Sequence, residues 1–182
     1  MIHFITHSRQ KLLEAQTVIP ELEQLNLSLP EIQTLDSFKL VREKLLAARQ
    51  HTKESIVVED TSLYIHGLND LPGTLTYWFL QTLGVEKMYE LAFKSGDVTA
   101  GAKTVVGYLA EDSDDPILFE GTITGEIVQP SVESGYGWDS IFKPYGLDET
   151  YATMGKELKV NFSMRTMAFQ KLKKYLDYKS KH

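Results

Sequence analysis

The chain predicts an α/β protein with a mixed sheet, on three observations. Short apolar, β-branched runs alternate with amphipathic stretches through its first half. A hairpin pattern, "AKTVVGYLA" and "ILFEGTITGEIV" around "EDSDDP", then interrupts that alternation, so the sheet is mixed and not cleanly doubly wound. The 182 residues suffice for one sizeable domain or two small lobes around a shared core, taken together as residues 1–182, and no repeat, low-complexity tract or long linker divides them.

The elements follow in order. "IHFIT" is short and apolar and reads as a buried strand. Ser8 can cap a helix from about Gln10 to Ile19, ended by Pro20. "LNLSLP" is expected to be a second short strand. From Asp36 to about His51, Phe38, Val41, Leu45 and Ala48 recur at helical spacing. "SIVVED" is the next strand, expected to end on Glu59 and Asp60. "LTYWFLQTLG" and "VEKMYELAF" read as helices, the first stopped by Gly84. After the hairpin, a last helix from Ser163 to about Tyr178 places Met164, Met167, Ala168, Leu172, Tyr175 and Leu176 on one face.

Composition narrows the function. The apolar fraction, 42%, is that of an ordinary globular protein. No apolar run approaches the roughly 20 residues needed to span a bilayer, and "MIHFITHSRQK" lacks the layout of a signal peptide. Without cysteine there is no disulfide, thiolate nucleophile or Cys-type zinc site, which fits a cytoplasmic location. The net charge of −6 argues against a general nucleic-acid coat. A local cluster of Lys and Arg can still hold a small anion. His3, His7, His51, His66 and His182 are scattered, without metal-ligand spacing.

Five stretches can carry chemistry. In "THSRQK", strand, polar loop and helix point backbone N–H groups at an anion. Lys11 stands in the first turn, where a cation opposes the helix dipole unless an anion binds nearby. The loop has no glycine and is not a P-loop. "LPEIQ" offers Glu31, and "VVEDTSLYIHGLNDLPG" offers Glu59 and Asp60. Adjacent carboxylates repel unless a cation or proton lies between them, and with Glu31 they would make an oxygen-rich site of the kind Mg²⁺ prefers. A solvated turn fits the same residues. In "SGYGWDSIF", Gly135 and Gly137 flank Tyr136, whose ring can stack on a base, while Asp139 can accept from base N–H groups. A ring packed under a glycine turn reads the same way. "KELKVNFSMR" gathers Lys159 and Arg165 around a helix start for which Ser163 is a plausible cap.

Taken in order, these motifs resemble the inosine triphosphate pyrophosphatase family over nearly the whole chain. The family opens with a strand and T-G-N-x-x-K. Here "THSRQK" keeps Thr6 and Lys11 but carries His7 and Ser8 in place of Gly and Asn. Leu29, Pro30 and Glu31 match L-P-E, whose Glu resembles a magnesium ligand, and Lys44 of "REKLLAA" falls on a substrate-contacting lysine. "VVEDTSLYIHGLNDLPG" is the most specific match, to V-E-D-T-x-L…L-P-G, and includes Thr61. Tyr136, Gly137, Trp138 and Asp139 resemble the base-binding loop. The final S-H-R reads Ser163, Met164, Arg165 here, preceded by Lys159 at the family's lysine position.

The resemblance implies an elongated central sheet flanked by helices, two lobes and an active cleft between them. It implies hydrolysis of non-standard purine triphosphates (ITP, dITP, XTP) to monophosphate and pyrophosphate, a house-cleaning activity on the nucleotide pool, with Mg²⁺ as cofactor and a homodimer as assembly. Glu31 and Asp60 would hold the metal, and Asp60, with Glu59, would act on the attacking water. Thr6, His7, Ser8, Lys11, Lys44 and Thr61 would meet the substrate's phosphate end. Tyr136, Gly137, Trp138, Asp139, Lys159, Ser163, Met164 and Arg165 would meet its base. No nucleic-acid or membrane partner is expected. Met164 cannot donate a hydrogen bond to a 6-oxo group as the family histidine can, so the margin over ATP and GTP should be narrower. Two rivals stay open: a related pyrophosphatase with altered base specificity, and a nucleotide-binding protein without turnover.

Overall fold

The structure is a computed structural model describing residues 1–130 and 136–181; Gly135 of the aromatic loop lies outside the described residues, as does His182. In chain order the elements are β1 (Ile2–Ile5), α1 (Arg9–Gln16), β2 (Leu22–Leu25), α2 (Ser37–Arg49), β3 (Ser55–Ile65), β4 (Leu71–Gly73), α3 (Thr76–Thr82), α4 (Gly84–Ser95), β5 (Thr99–Leu109), β6 (Ile117–Ile127), β7 (Phe142–Pro144), α5 (Lys156–Asn161) and α6 (Met164–Lys179), with a 3₁₀ turn at His66–Leu68. Seven strands make one mixed sheet in the order β2-β1-β3-β5-β6-β7, with β4 paired to β3 off that path. β1 runs parallel to β2 and β3, while β4 is antiparallel to β3 and β7 to β6. Parallel neighbours need a crossover, and α1 and α2 supply them. The expected mixed α/β sheet is therefore present.

The chain forms two compact units. The first comprises Met1–Thr61, Thr104–Gly121 and Met164–His182. Strand pleating divides its core into two faces. Val57 and Val106 join Leu12 and Ala15 of α1 and Phe169 and Leu172 of α6. Ile56, Val58 and Val105 join Val41, Leu45 and Ala48 of α2 on the other face. Two glycines set how closely the helices approach. A Cβ on Gly121 would lie 2.0 Å from the Met164 carbonyl oxygen of α6, and one on Gly107 would lie 2.6 Å from methyls of Val41 and Leu45. Arg49 closes the far end of α2, donating from Nη1 to the carbonyls of Thr52 and Glu54 and from Nη2 to that of Ala110.

The second unit comprises Ser62–Lys103 and Thr122–Ser163. Thr76 ties the start of α3 to the strands beneath, donating to the Gly73 carbonyl and accepting from Leu63 N–H at 3.0 Å. α4 buries Met88 and Ala92. Trp138 packs edge-on to Phe142, centroids 5.3 Å apart, and both rings meet Tyr151. Among the described residues no helix is long and apolar enough to cross a membrane.

Three boundaries differ from the sequence reading. α1 stops at Gln16, because the Thr17 hydroxyl donates to the Glu14 carbonyl and the chain leaves through tighter bonds to Ala15. β2 is Leu22–Leu25, in register with β1, and not "LNLSLP", whose Leu27 and Leu29 pack against the α2-side core without a strand partner. β3 does not end at its two acids: it runs on to Ile65 and pairs with β4.

Candidate active site

In the first unit, β1 delivers Thr6, His7 and Ser8 to the start of α1. The Thr6 hydroxyl accepts from Ser8 N–H at 3.1 Å, and the Ser8 hydroxyl, as N-cap, accepts from Lys11 N–H at 3.3 Å. The turn is thus built from side chains where a glycine loop would use bare backbone. His7 is exposed, its ring 3.5 Å from the Ser28 hydroxyl.

Glu59 and Thr61 point from β3 toward α1 and α6. Arg165 is buried between them, donating from Nε to Glu59 Oε2 at 2.7 Å, from Nη1 to Glu14 Oε2 at 2.6 Å and from Nη2 to Thr61 Oγ1 at 3.2 Å. Lys11 Nζ lies 2.5 Å from Glu59 Oε1. The four ionised groups carry two charges of each sign, which is what makes their burial tolerable. Burial alone would raise the Glu59 pKa; the Arg165 and Lys11 charges outweigh it and bring the pKa down from 4.5 to about 2. Burial lowers the Arg165 pKa, and Glu59 and Glu14 reverse that and raise it. A carboxylate held so low is a poor proton acceptor at neutral pH.

Asp60 follows Glu59 in an extended strand, so its side chain leaves from the opposite face, the one that Val58 shares with α2. The expectation that the two acids share one site meets this pleat: they serve separate faces. On the α2 side, Lys44 Nζ donates to Glu31 Oε1 at 2.6 Å and to the Glu59 carbonyl at 3.2 Å. Asp60 itself is half-buried. Among the described residues no group of three or more acid, histidine or cysteine side chains could hold a metal ion by itself. Mg²⁺ seldom asks for one, since it keeps waters and takes one or two carboxylates together with substrate phosphates. Glu31 and Asp60 offer that donor chemistry, and Glu31 already holds a cation, the Lys44 ammonium.

In the second unit, Lys159 Nζ donates to Asp139 Oδ2 and stands 5.0 Å from the Tyr151 ring centroid. Trp138 is buried in the aromatic cluster, whereas Tyr136, in the turn completed by Gly137 at φ +62°, keeps its ring exposed. Ser163 is buried at the approach to α6.

The structure therefore brings together Thr6, Ser8 and Lys11; Lys11, Glu59, Thr61 and Arg165; Glu31 and Lys44; and Asp139 and Lys159. Met164 is buried beside Arg165. Glu14 and Thr104 escaped the sequence reading. Glu14 was detectable, as an acid between Leu12 and Ala15 on the buried face of α1. Thr104, inside "AKTVVGYLA", gives no signal, because threonine is common in strands.

A model of the Ham1 family matches residues 2–175. The chain is 35% identical over 181 residues to the inosine triphosphate pyrophosphatase of Phaeosphaeria nodorum, covering 98% of this chain and 95% of that protein. It is 37% identical over 182 residues to that of Batrachochytrium dendrobatidis, covering 97% and 94%. Among solved structures, the Staphylococcus aureus Ham1 protein superposes with a TM-score of 0.85 at 22% identity, covering 98% of both chains. A Mycobacterium abscessus nucleoside-triphosphatase, a dITP/XTP pyrophosphatase, reaches 0.70 at 22% identity, covering 94% of this chain and 97% of that one.

Proposed function

Because this chain belongs to the Ham1 family, we infer that it hydrolyses non-standard purine nucleoside triphosphates (ITP, dITP and XTP) to the monophosphate and pyrophosphate. The observation that carries the assignment of roles is the divergence of Glu59 and Asp60. Glu59 is buried against Arg165 and Lys11, while Asp60 is half-buried on the face where Lys44 holds Glu31. Asp60 orients the attacking water and accepts its proton; Glu59 holds Lys11. Lys11, Lys44 and the N–H groups at the start of α1 neutralise the triphosphate. Glu31 and Asp60 hold Mg²⁺, which supplies charge neutralisation on the phosphate oxygens when bound. In the second unit, Tyr136 stacks on the base and the Asp139–Lys159 pair reads its edge, with the Trp138 cluster as backing. Arg165, turned toward Glu14, Glu59 and Thr61, positions those groups instead of reading the base. We place the enzyme in the cytoplasm, with its nucleotide substrates, as a homodimer.

The departure at Met164 favours a variant of this reading, with a narrower preference for 6-oxo bases over ATP and GTP, since a thioether donates no hydrogen bond. The test is a panel of ITP, XTP, ATP and GTP hydrolysed in ¹⁸O-water. The expected result is ¹⁸O in the monophosphate and pyrophosphate as co-product, fastest with ITP and XTP. Nucleoside diphosphate with labelled inorganic phosphate refutes the reaction. Asp60→Asn should lower turnover by orders of magnitude in a folded protein; turnover near wild type removes Asp60 from the chemistry.

A further inference from the structure

We propose that Thr104 is a positioning residue for the phosphate end of the substrate, acting on Lys11 through Thr61 and Glu59. The inference rests on the reading of Lys11 as a phosphate contact. Thr104 lies in β5 and is 0% exposed. Its hydroxyl is 2.7 Å from the Thr61 hydroxyl. Thr61 Oγ1 also accepts from Arg165 Nη2 at 3.2 Å and stands 3.4 Å from Glu59 Oε2. Glu59 Oε1 in turn meets Lys11 Nζ at 2.5 Å, and the Lys11 side chain is 25% exposed. A line of polar contacts thus runs from inside the sheet to the ammonium in the first turn of α1.

The chemistry decides the direction. A hydroxyl has one hydrogen and two lone pairs. The Arg165 N–H takes one lone pair of Thr61. A Thr104 hydroxyl donating into the second leaves the Thr61 hydrogen directed at Glu59 Oε2. Glu59 then receives donors from Arg165, Thr61 and Lys11 and is fixed, and Lys11 with it. Without the Thr104 hydroxyl, Thr61 can turn its hydrogen away or rotate, and Glu59 and Lys11 lose that constraint. The neighbours of Thr104 on the same face of β5, Ala102 and Val106, are apolar and buried, so a hydroxyl there is not demanded by packing.

Thr104→Val preserves shape and deletes the hydroxyl; Thr104→Ser keeps the hydroxyl and deletes a methyl. The affinity for inorganic tripolyphosphate, in magnesium buffer by titration calorimetry, tests the inference without turnover. Thr104→Val should raise the Kd about tenfold, the size expected for losing one buried hydrogen bond in a coupled network, and Thr104→Ser should restore it. In a Lys11→Gln background the valine effect should shrink below about twofold, because its route ends at Lys11. For ITP hydrolysis the valine change should appear mainly in KM. A Kd unchanged by Thr104→Val, a serine variant as weak as the valine one, or additivity with Lys11→Gln overturns the inference. Absence of pyrophosphate release by the wild type would overturn the proposed reaction instead, and the tripolyphosphate titration would still decide the role of Thr104.

Discussion

Glu59 and Asp60 are neighbours in sequence with opposite duties, and the difference is one of surroundings. Glu59 has lost water and gained Arg165 and Lys11, and its pKa falls from 4.5 to about 2. The unfolded chain therefore binds a proton at this residue before the folded protein does. The stability it contributes is fully present above about pH 4.5 and is lost as pH falls through about 2. Glu59→Gln should flatten that part of the acid-unfolding profile. It should also destabilise the protein at neutral pH by about 3–5 kcal/mol, since Arg165 stays buried with one anion fewer. Urea unfolding across that pH range reads both effects, and an unchanged acid limb would show that Glu59 is not held by its partners in solution. The sequence marked the acids and Lys11 but not this division of labour. That depends on Arg165, 106 residues away from Glu59 in the chain, and on a glutamate, Glu14, hidden in an ordinary helix pattern.

At the scale of elements, α2 and α6 rest on glycines that resist substitution differently. A Cβ on Gly107 meets only side-chain methyls, which can turn aside, whereas one on Gly121 meets the Met164 carbonyl oxygen, which belongs to the backbone of α6. Gly107→Ala should cost about 1–3 kcal/mol, as overpacking does. Gly121→Ala should cost more and should lower activity, because displacing α6 moves Arg165. Denaturant melts and assays of the two variants side by side check this; equal losses would mean that α6 yields as easily as a methyl. Long elements were legible: α2, α6 and the β5–β6 hairpin each present a full hydrophobic period. β4, β7 and α5 were not, since three to six residues carry too little period to recognise. The sequence understates the length of β3, because "EDTS" has the composition of a turn. Its acid is instead neutralised by partners from other elements, and β4 supplies pairing for its second half.

For the whole molecule, the row Tyr77-Trp78-Phe79 signalled in the sequence that one helix face could not bury every ring. In the second unit Tyr77 and Trp78 are exposed, 62% and 53%, and touch edge to face. Such adjoining rings fit the proposed contact between copies. Sedimentation of the wild type at micromolar concentration should give a dimer and Trp78→Glu a monomer; a monomeric wild type would sink the assembly. Where one compact unit ends and the other begins is not legible in the sequence, because each is assembled from separated segments and no linker marks the passage between them. A further consequence lies in the pleat of β3. Which acid meets Arg165 and which faces α2 is a matter of odd and even positions. Loss or gain of a single residue between Ser55 and Val58 would exchange the two environments while leaving the composition almost untouched. A two-residue change would preserve them. The strand thus imposes a parity rule on length variation that a comparison of amino-acid content alone would never register.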